Sequence, residues 1–342
     1  MKKTYHSRQL EGILCVDKPQ DWTSFDVVAK MRGIADCHKI GHGGTLDPMA
    51  TGVLPLFFGR SAKAMELMPV QDKRYTASIR FGVTTDTQDC TGNILSTSEK
   101  PVTKKALEAA LAPLRGTIDQ LPPMYSAVWV DGQRLYKLAR AGKEVERPTR
   151  QVTIHRLDLL EFDLENRTCV IDVACSKGTY IRTLCHDIGE ALGCGGMLTA
   201  LRRTETLGFT TADCHTLEEL KQASEEGRFE ELLMPVDAAF RQYKSIFLSP
   251  KQSKMFLDGI RLDTNRIKIP AEGDTVRVYG DGRFLALAHI ERSIAELQII
   301  KLFYTKENPN CCSTMTFPAK VNILRRRRRA FLSACTWSSA RQ

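Results

Sequence analysis

Asp47 lies between Leu46 and Pro48 in the string GHGGTLDPMATGVLPLF. Several glycines here let the backbone approach a ligand closely. Pro48 biases Asp47 away from helical backbone and offers no N–H. An isolated Asp-Pro pair is ordinarily a turn former. The whole string argues for more: a rigid, glycine-flanked loop that presents one carboxylate just before a buried strand. A carboxylate held this way can act as a nucleophile or take a proton. The loop is not a phosphate-binding P-loop, because no Gly-Lys-Ser/Thr closes it.

A second concentration of chemistry lies at 121–150, LPPMYSAVWVDGQRLYKLARAGKEVERPTR. Arg134, Lys137, Arg140, Lys143, Arg147 and Arg150 outnumber Asp131, Glu144 and Glu146, and Tyr125, Trp129 and Tyr136 are interleaved. Cations meet phosphates and rings offer stacking faces, a mixture suited to nucleic acid. A helical hairpin with a solvated charged face explains the composition equally well. The eleven cysteines are odd in number, scattered, and contain no C-x-x-C pair. That opposes a zinc ribbon and a disulfide framework and favours reduced, mostly buried thiols in a cytoplasmic protein.

These residues need elements to hold them. Residues 12–17 (GILCVD) read as a buried strand, and Ser24 as the cap of a helix with Val27, Val28 and Met31 inward. Residues 39–52 read as a loop feeding an apolar strand, 53–58. Residues 75–81 alternate, with Tyr75, Ala77, Ile79 and Phe81 on one face. Thr103 caps a helix with Leu107, Ala110, Leu111 and Leu114 inward, ended by Gly116. A strand at 169–175 passes through a polar turn, 176–179, into a helix with Ile181, Leu184, Ile188 and Leu192 on one face, stopped by Gly193. A charged helical region, 217–233, ends before Pro235. From Ser245 short strands dominate, with a hairpin turn at Asp281-Gly282.

The 342 residues suggest two domains or slightly more. A hydrophobic fraction of 42% and a charged fraction of 26% are those of a globular protein. No run approaches the roughly 18 apolar residues of a membrane helix, and no apolar segment follows the N-terminal lysines. The net charge of +9 is uneven: residues 306–342 carry +7, including Arg325 to Arg329, which leaves +2 for the rest. The body therefore meets any nucleic acid through local patches. The tail reads as disordered.

Five ordered blocks resemble the tRNA pseudouridine synthase B family over residues 10–240. GHGGTLDPMATGVLP is similar to its catalytic motif, and GILCVDKPQDWTSFDVV to its opening strand and helix. RYTASIRFGVTTDTQDCTG resembles the segment with its active-site tyrosine, and PPMYSAVWVDGQRLYKLARAGKEVER its T-loop-clasping insertion. SKGTYIRTL with LRRTETLGF resembles the end of its active site. The resemblance implies an α+β fold: a mixed, mainly antiparallel catalytic sheet with flanking helices at 1–240, including the insertion at 121–150. A small PUA-like RNA-binding β domain would occupy 241–305. The tail from 306 departs from the family pattern and is given no catalytic role.

The resemblance further implies conversion of the T-loop uridine at tRNA position 55 to pseudouridine. Asp47 would be the essential carboxylate, adding to base or sugar or abstracting a ribose proton. Arg182 would hold it by a charge-assisted bond; otherwise Arg182 is an exposed helix residue. Tyr75 would lie against the flipped uracil, Tyr180 would contact the base or Asp47, and Leu201 would form an apolar wall. His42 would fill the space left in the T-loop by flipped nucleotides; otherwise it is a loop histidine bonded to backbone. Lys18 would meet a phosphate or a carbonyl near the loop, or be a surface lysine before Pro19. The isomerisation exchanges no electrons and loses no group, so no cofactor or metal is expected. The expected partner is tRNA, through T-loop and T-stem, for a monomer with no obligatory protein partner and no membrane contact. Two other classes remain: a tRNA-folding chaperone with catalysis secondary, and a guide-RNA-dependent synthase. Asp47 opposes the first, the insertion the second.

Overall fold

The computed structural model describes residues 8–130 and 132–304. Strand Gly12–Lys18 is apolar at successive positions because both of its faces are covered. Leu14 and Val16 pack with Val27, Val28 and Met31 of helix Ser24–Ala35. Ile13 and Cys15 pack with Phe57, Phe240 and Tyr279.

This strand belongs to a ten-stranded sheet. Its main path runs Cys214–His215, Gly12–Lys18, Thr51–Phe58, Gly196–Thr206, Lys73–Phe81, Thr168–Cys175, Arg150–Asp163, Gly116–Gln120. Ile40–His42 pairs beside Thr51–Phe58, and Phe209–Thr210 beside Gly196–Thr206. The pairings are antiparallel except at Cys15–Val16 with Cys214–His215, and at Arg202–Arg203 with Thr51–Gly52. The alternation at 75–81 appears as expected: Tyr75, Ala77, Ile79 and Phe81 point into the core. Helices Lys104–Leu111 and Ile181–Leu192 supply the other side of that core through Leu107, Leu111, Ile181, Leu184 and Ile188. This is the mixed, mainly antiparallel α+β core with flanking helices.

Several local expectations need correcting. The cap of the first helix is Thr23, which shares a capping box with Asp26, and this releases the Ser24 hydroxyl for another task. The 39–52 segment is not all loop: Ile40–His42 is a strand, and the next strand already starts at Thr51. The Thr103-capped helix ends at Leu111, and Gly116, with φ of 85°, opens the following strand. The charged region stops being α-helical at Glu225, before Gly227 at φ 74°, and resumes as a short 3-10 turn at Phe229–Leu232. The insertion holds a small hairpin, Trp129–Val130 with Gln133–Arg134, and one short helix, Leu135–Arg140, instead of a helical hairpin.

The C-terminal unit is a five-stranded sheet, ordered Lys244–Leu248, Thr275–Gly280, Arg283–Glu291, Glu296–Leu302, Leu262–Asp263. The hairpin at Asp281-Gly282 is present, and a helix, Pro250–Leu257, joins the strands unannounced by their pattern. Tyr279, Phe284, Leu287 and Phe303 share one core with Ile13, Val53 and Phe57 of the larger sheet. The basic tail from 306 lies outside the described residues.

Candidate active site

The Asp47 loop is held from behind, residue by residue. The Leu46 N–H donates to Ser24 Oγ at 2.9 Å, and the Ser24 hydroxyl returns to the Leu46 carbonyl at 3.3 Å. The Pro48 carbonyl accepts from the Asp21 N–H at 2.9 Å and from Lys18 Nζ at 3.1 Å. The carbonyls of Gly44 and Thr45 accept from Arg203 at 3.1 and 3.4 Å. Gly52, the second residue of the strand that follows the loop, has φ 101°, and a Cβ there would sit 2.2 Å from the Arg203 carbonyl oxygen. Only glycine fits that approach.

In front of the loop stands Arg182, in the first turn of Ile181–Leu192. Its Nε lies 3.0 Å from Asp47 Oδ2. Its Nη2 donates to the Tyr125 carbonyl at 2.8 Å, and its Nη1 to the Thr87 carbonyl at 3.2 Å, with Asp89 Oδ2 at 3.7 Å. Asp89 is itself held by Thr87 and Thr91. The pair is asymmetric: the Arg182 side chain is 6% exposed and the Asp47 side chain 41%. The cation is locked away while the carboxylate faces solvent. Arg182 is therefore not the exposed helix residue of the plainer expectation; its helix start lies under both the 85–91 turn and the insertion.

Tyr75 is buried beside Leu46, Ala50, Ile181 and Leu201 in one apolar cluster. Burial pushes its phenol up to about 12, against the lowering effect of the neighbouring Arg203 guanidinium. His42 ends strand Ile40–His42, half-buried. Burial and then the charge of Arg203 pull its pKa down. Lys18 is fully buried and gives Nζ to the carbonyls of Pro19, Trp22 and Pro48. These occupy the donors of an ammonium, so Lys18 takes the carbonyl role and neither a phosphate nor the surface. Burial lowers it to about 8, while Asp21 and Asp47 pull the other way.

Tyr180 caps the helix that carries Arg182, and Gln120 fixes it by bonds to its N–H (2.7 Å) and carbonyl (3.1 Å). The Tyr180 ring meets Arg150, whose guanidinium carbon lies 5.3 Å from the ring centroid. The expectation for Tyr180 was a contact with the base or with Asp47; among the described residues its ring meets Arg150. Thus Asp47, Arg182, Tyr75 and Leu201 gather at the loop, Lys18 supports it, and His42 and Tyr180 flank it. Sequence reasoning missed Ser24 as a loop brace, and missed Asp89, Gln120 and Arg203 altogether. An arginine inside a strand gives no spacing signal of its burial. Among the described residues no group of three or more His, Cys, Asp or Glu side chains is arranged to hold a metal ion. The described cysteines are free, with Cys90 exposed, Cys214 half-buried and the others buried.

Residues 32–181 match the family described as TruB family pseudouridylate synthase (N terminal domain). Residues 182–241 match the tRNA pseudouridylate synthase B C-terminal domain. The chain is 46% identical over 275 residues to the tRNA pseudouridine synthase B of Ralstonia pickettii (strain 12J), covering 80% of this chain and 86% of that one. It is 44% identical over 288 residues to the tRNA pseudouridine synthase B of Azoarcus sp. (strain BH72), covering 84% and 93%. In fold it is similar to a chain of an H/ACA RNP bound to a substrate RNA containing 2'-deoxyuridine, with TM-score 0.65, 22% identity, and 86% of each chain covered. A chain of a Cbf5-Nop10-Gar1 complex gives TM-score 0.65 at 24% identity, covering 90% and 89%.

Proposed function

The chain belongs to the tRNA pseudouridine synthase B family, and we propose that it isomerises the T-loop uridine at tRNA position 55 to pseudouridine. The observation that carries this reading is the Asp47–Arg182 pair: an accessible carboxylate gripped by a buried guanidinium at 3.0 Å. In the reaction the N1–C1′ bond breaks, the base turns, and C5 joins C1′. C5 gives up its proton and N1 gains one, so the product is an isomer. Asp47 serves by attack on base or sugar or by taking a ribose proton. Arg182 fixes its direction through a charge-assisted bond.

The uridine reaches Asp47 by leaving the base stack. Tyr75 lies against the flipped uracil, Leu201 forms an apolar wall, Tyr180 contacts the base or Asp47, His42 fills the space left in the T-loop by flipped nucleotides, and the 121–150 insertion clasps the T-loop and T-stem. Residues 1–240 form the catalytic domain and 241–305 an RNA-binding unit. The enzyme works as a cytoplasmic monomer with no obligatory protein partner. The identity of 44–46% to proteins named tRNA pseudouridine synthase B favours a stand-alone enzyme over a guide-dependent one.

The test is an unmodified tRNA transcript incubated with the protein and mapped for pseudouridine. Modification at position 55 is expected, and Asp47→Asn should abolish it with tRNA binding nearly intact. Asp47→Asn should still promote tRNA folding if the protein is also a chaperone. Turnover by Asp47→Asn above a few percent of the parent would remove Asp47 from its role.

A further inference from the structure

We propose that Arg203 is a positioning residue that locks the Asp47 loop and Tyr75 into one rigid unit; this rests on the roles of Asp47 and Tyr75 just given. Arg203 lies on strand Gly196–Thr206, paired on one side with Tyr75 and on the other with Gly52. The strand carrying the tyrosine and the strand leaving the loop thus meet at this residue. The side chain is 0% exposed. Its Nε donates to the Val53 carbonyl at 2.8 Å, Nη1 to Thr45 at 3.4 Å, and Nη2 to Gly44 at 3.1 Å. Tyr75, directly opposite on the neighbouring strand, sets its phenol beside this guanidinium.

The charge of Arg203 is answered by the Tyr75 phenol and carbonyl dipoles, with no carboxylate in ion-pair contact among the described residues. A buried cation without a partner carboxylate is costly, and an apolar side chain of similar volume is often as stable or more so. Stability alone therefore gives little reason for an arginine here. Its geometry gives one. A planar fork of donors spans separate segments at once, which a lysine ammonium does not reproduce. Arginine has no acceptor, so toward the Tyr75 phenol it can act only as a donor. Arg203 touches the carbonyls two and three residues before Asp47, and acts on the reaction only through the loop and the tyrosine.

The experiment compares Arg203→Lys, Arg203→Met and Tyr75→Phe with the parent, and with Asp47→Asn as control. Single-turnover rate at saturating tRNA, tRNA affinity and amide hydrogen exchange are measured together. A displacement of about 1 Å near the chemistry costs on the order of 10²-fold, so Arg203→Lys should slow the single turnover by about that factor with affinity changed less than about threefold. Amides 44–50 should exchange faster, while those of helix Ile181–Leu192 stay protected. Tyr75→Phe should add little in the Arg203→Lys background, because the two residues act as one unit. A parental rate in Arg203→Lys and Arg203→Met, unchanged exchange at 44–50, or independent multiplication of the two effects overturns the proposal. If neither Arg203 variant folds, Tyr75→Phe alone must accelerate exchange at 44–50, and failure to do so overturns it. Asp47→Asn separates the two readings: turnover there would sink the role of Asp47, while the exchange result still judges the brace.

Discussion

At Lys18, burial and hydrogen bonding pull in opposite directions. Desolvation lowers its pKa from 10.5 to about 8, yet only the ammonium has a donor for each of the carbonyls of Pro19, Trp22 and Pro48. Losing the proton turns a lone pair toward one of those oxygens and loosens the residue after Asp47. The single-turnover rate should therefore fall on the alkaline side with an apparent pKa of about 8. Stability moves the other way. The folded pKa lies below the unfolded one, so between about 8 and 10.5 the unfolded chain holds the proton more tightly. The contribution of Lys18 to stability is least favourable below that window and rises with pH through it. Rate–pH profiles and urea unfolding of the parent and Lys18→Met check both trends. The variant should be slower and lack this alkaline limb. A limb unchanged in Lys18→Met assigns it to another group.

The insertion is where an element's composition was legible and its shape was not. Leu135 is buried and anchors the short helix, while Trp129 stays exposed. The Arg134 guanidinium lies 5.1 Å from the Trp129 ring centroid, and that of Arg140 lies 5.6 Å from Tyr136. Cation and ring thus occur as preformed pairs, each offering a charge beside a stacking face. Six residues make too short a helix to be stable alone, so hairpin and helix depend on the Leu135 anchor. Replacing Arg134, Lys137, Arg140 and Lys143 by alanine should weaken tRNA binding. Each lost phosphate contact should lower the log–log salt slope by about 0.7 to 0.9. The rate at saturating tRNA should change little, because among the described residues the insertion's hydrogen bond with Arg182 is made by the Tyr125 backbone carbonyl and by none of the four replaced side chains. An unchanged slope would mean that these side chains only decorate a solvated surface.

Over the whole molecule, the C-terminal sheet is bound to the catalytic sheet by a common core. The Tyr279 hydroxyl donates to Asp237 at 2.6 Å, and Phe240 lies 6.2 Å from Phe284 and 5.6 Å from Phe303, centroid to centroid. A unit of about 60 residues is close to the limit for folding alone, and a shared core relieves that limit. The tail carries +7 of the +9 charge, yet a run of arginines attracts any polyanion through counterion release and reads no sequence. Truncation after Thr305 should leave the modified uridine unchanged and slow association only at low salt. Truncation after Phe240 should instead destabilise the catalytic sheet by uncovering Ile13, Val53 and Phe57. Mapping and thermal unfolding of both fragments at two salt concentrations make the comparison. A 1–305 protein that folds but modifies another uridine, or none, places the tail in the active machinery.

Local sequence by itself determined the alternating strand at 75–81, the helices after Thr103 and Thr179, the DG hairpin and the glycine-flanked carboxylate at Asp47. Each is specified by periodicity, turn chemistry or a motif within a few residues. Cap position was less legible, since Thr23 and Ser24 carry the same chemistry and only the Leu46 backbone decides that Ser24 faces the loop. Tertiary structure alone decided the burial of Lys18, Arg182 and Arg203. By composition and spacing alone each could be a surface cation; for Lys18 and Arg182 it was the family resemblance that suggested otherwise. Apart from the Pro19 and Trp22 carbonyls beside Lys18, the partners of all three are backbone carbonyls and carboxylates 30 to 159 residues away, and carbonyls carry no residue type that a pattern can register. A buried cation is tolerable only where such oxygens converge, and that convergence exists once the sheet has brought Tyr75, Gly52 and Arg203 side by side.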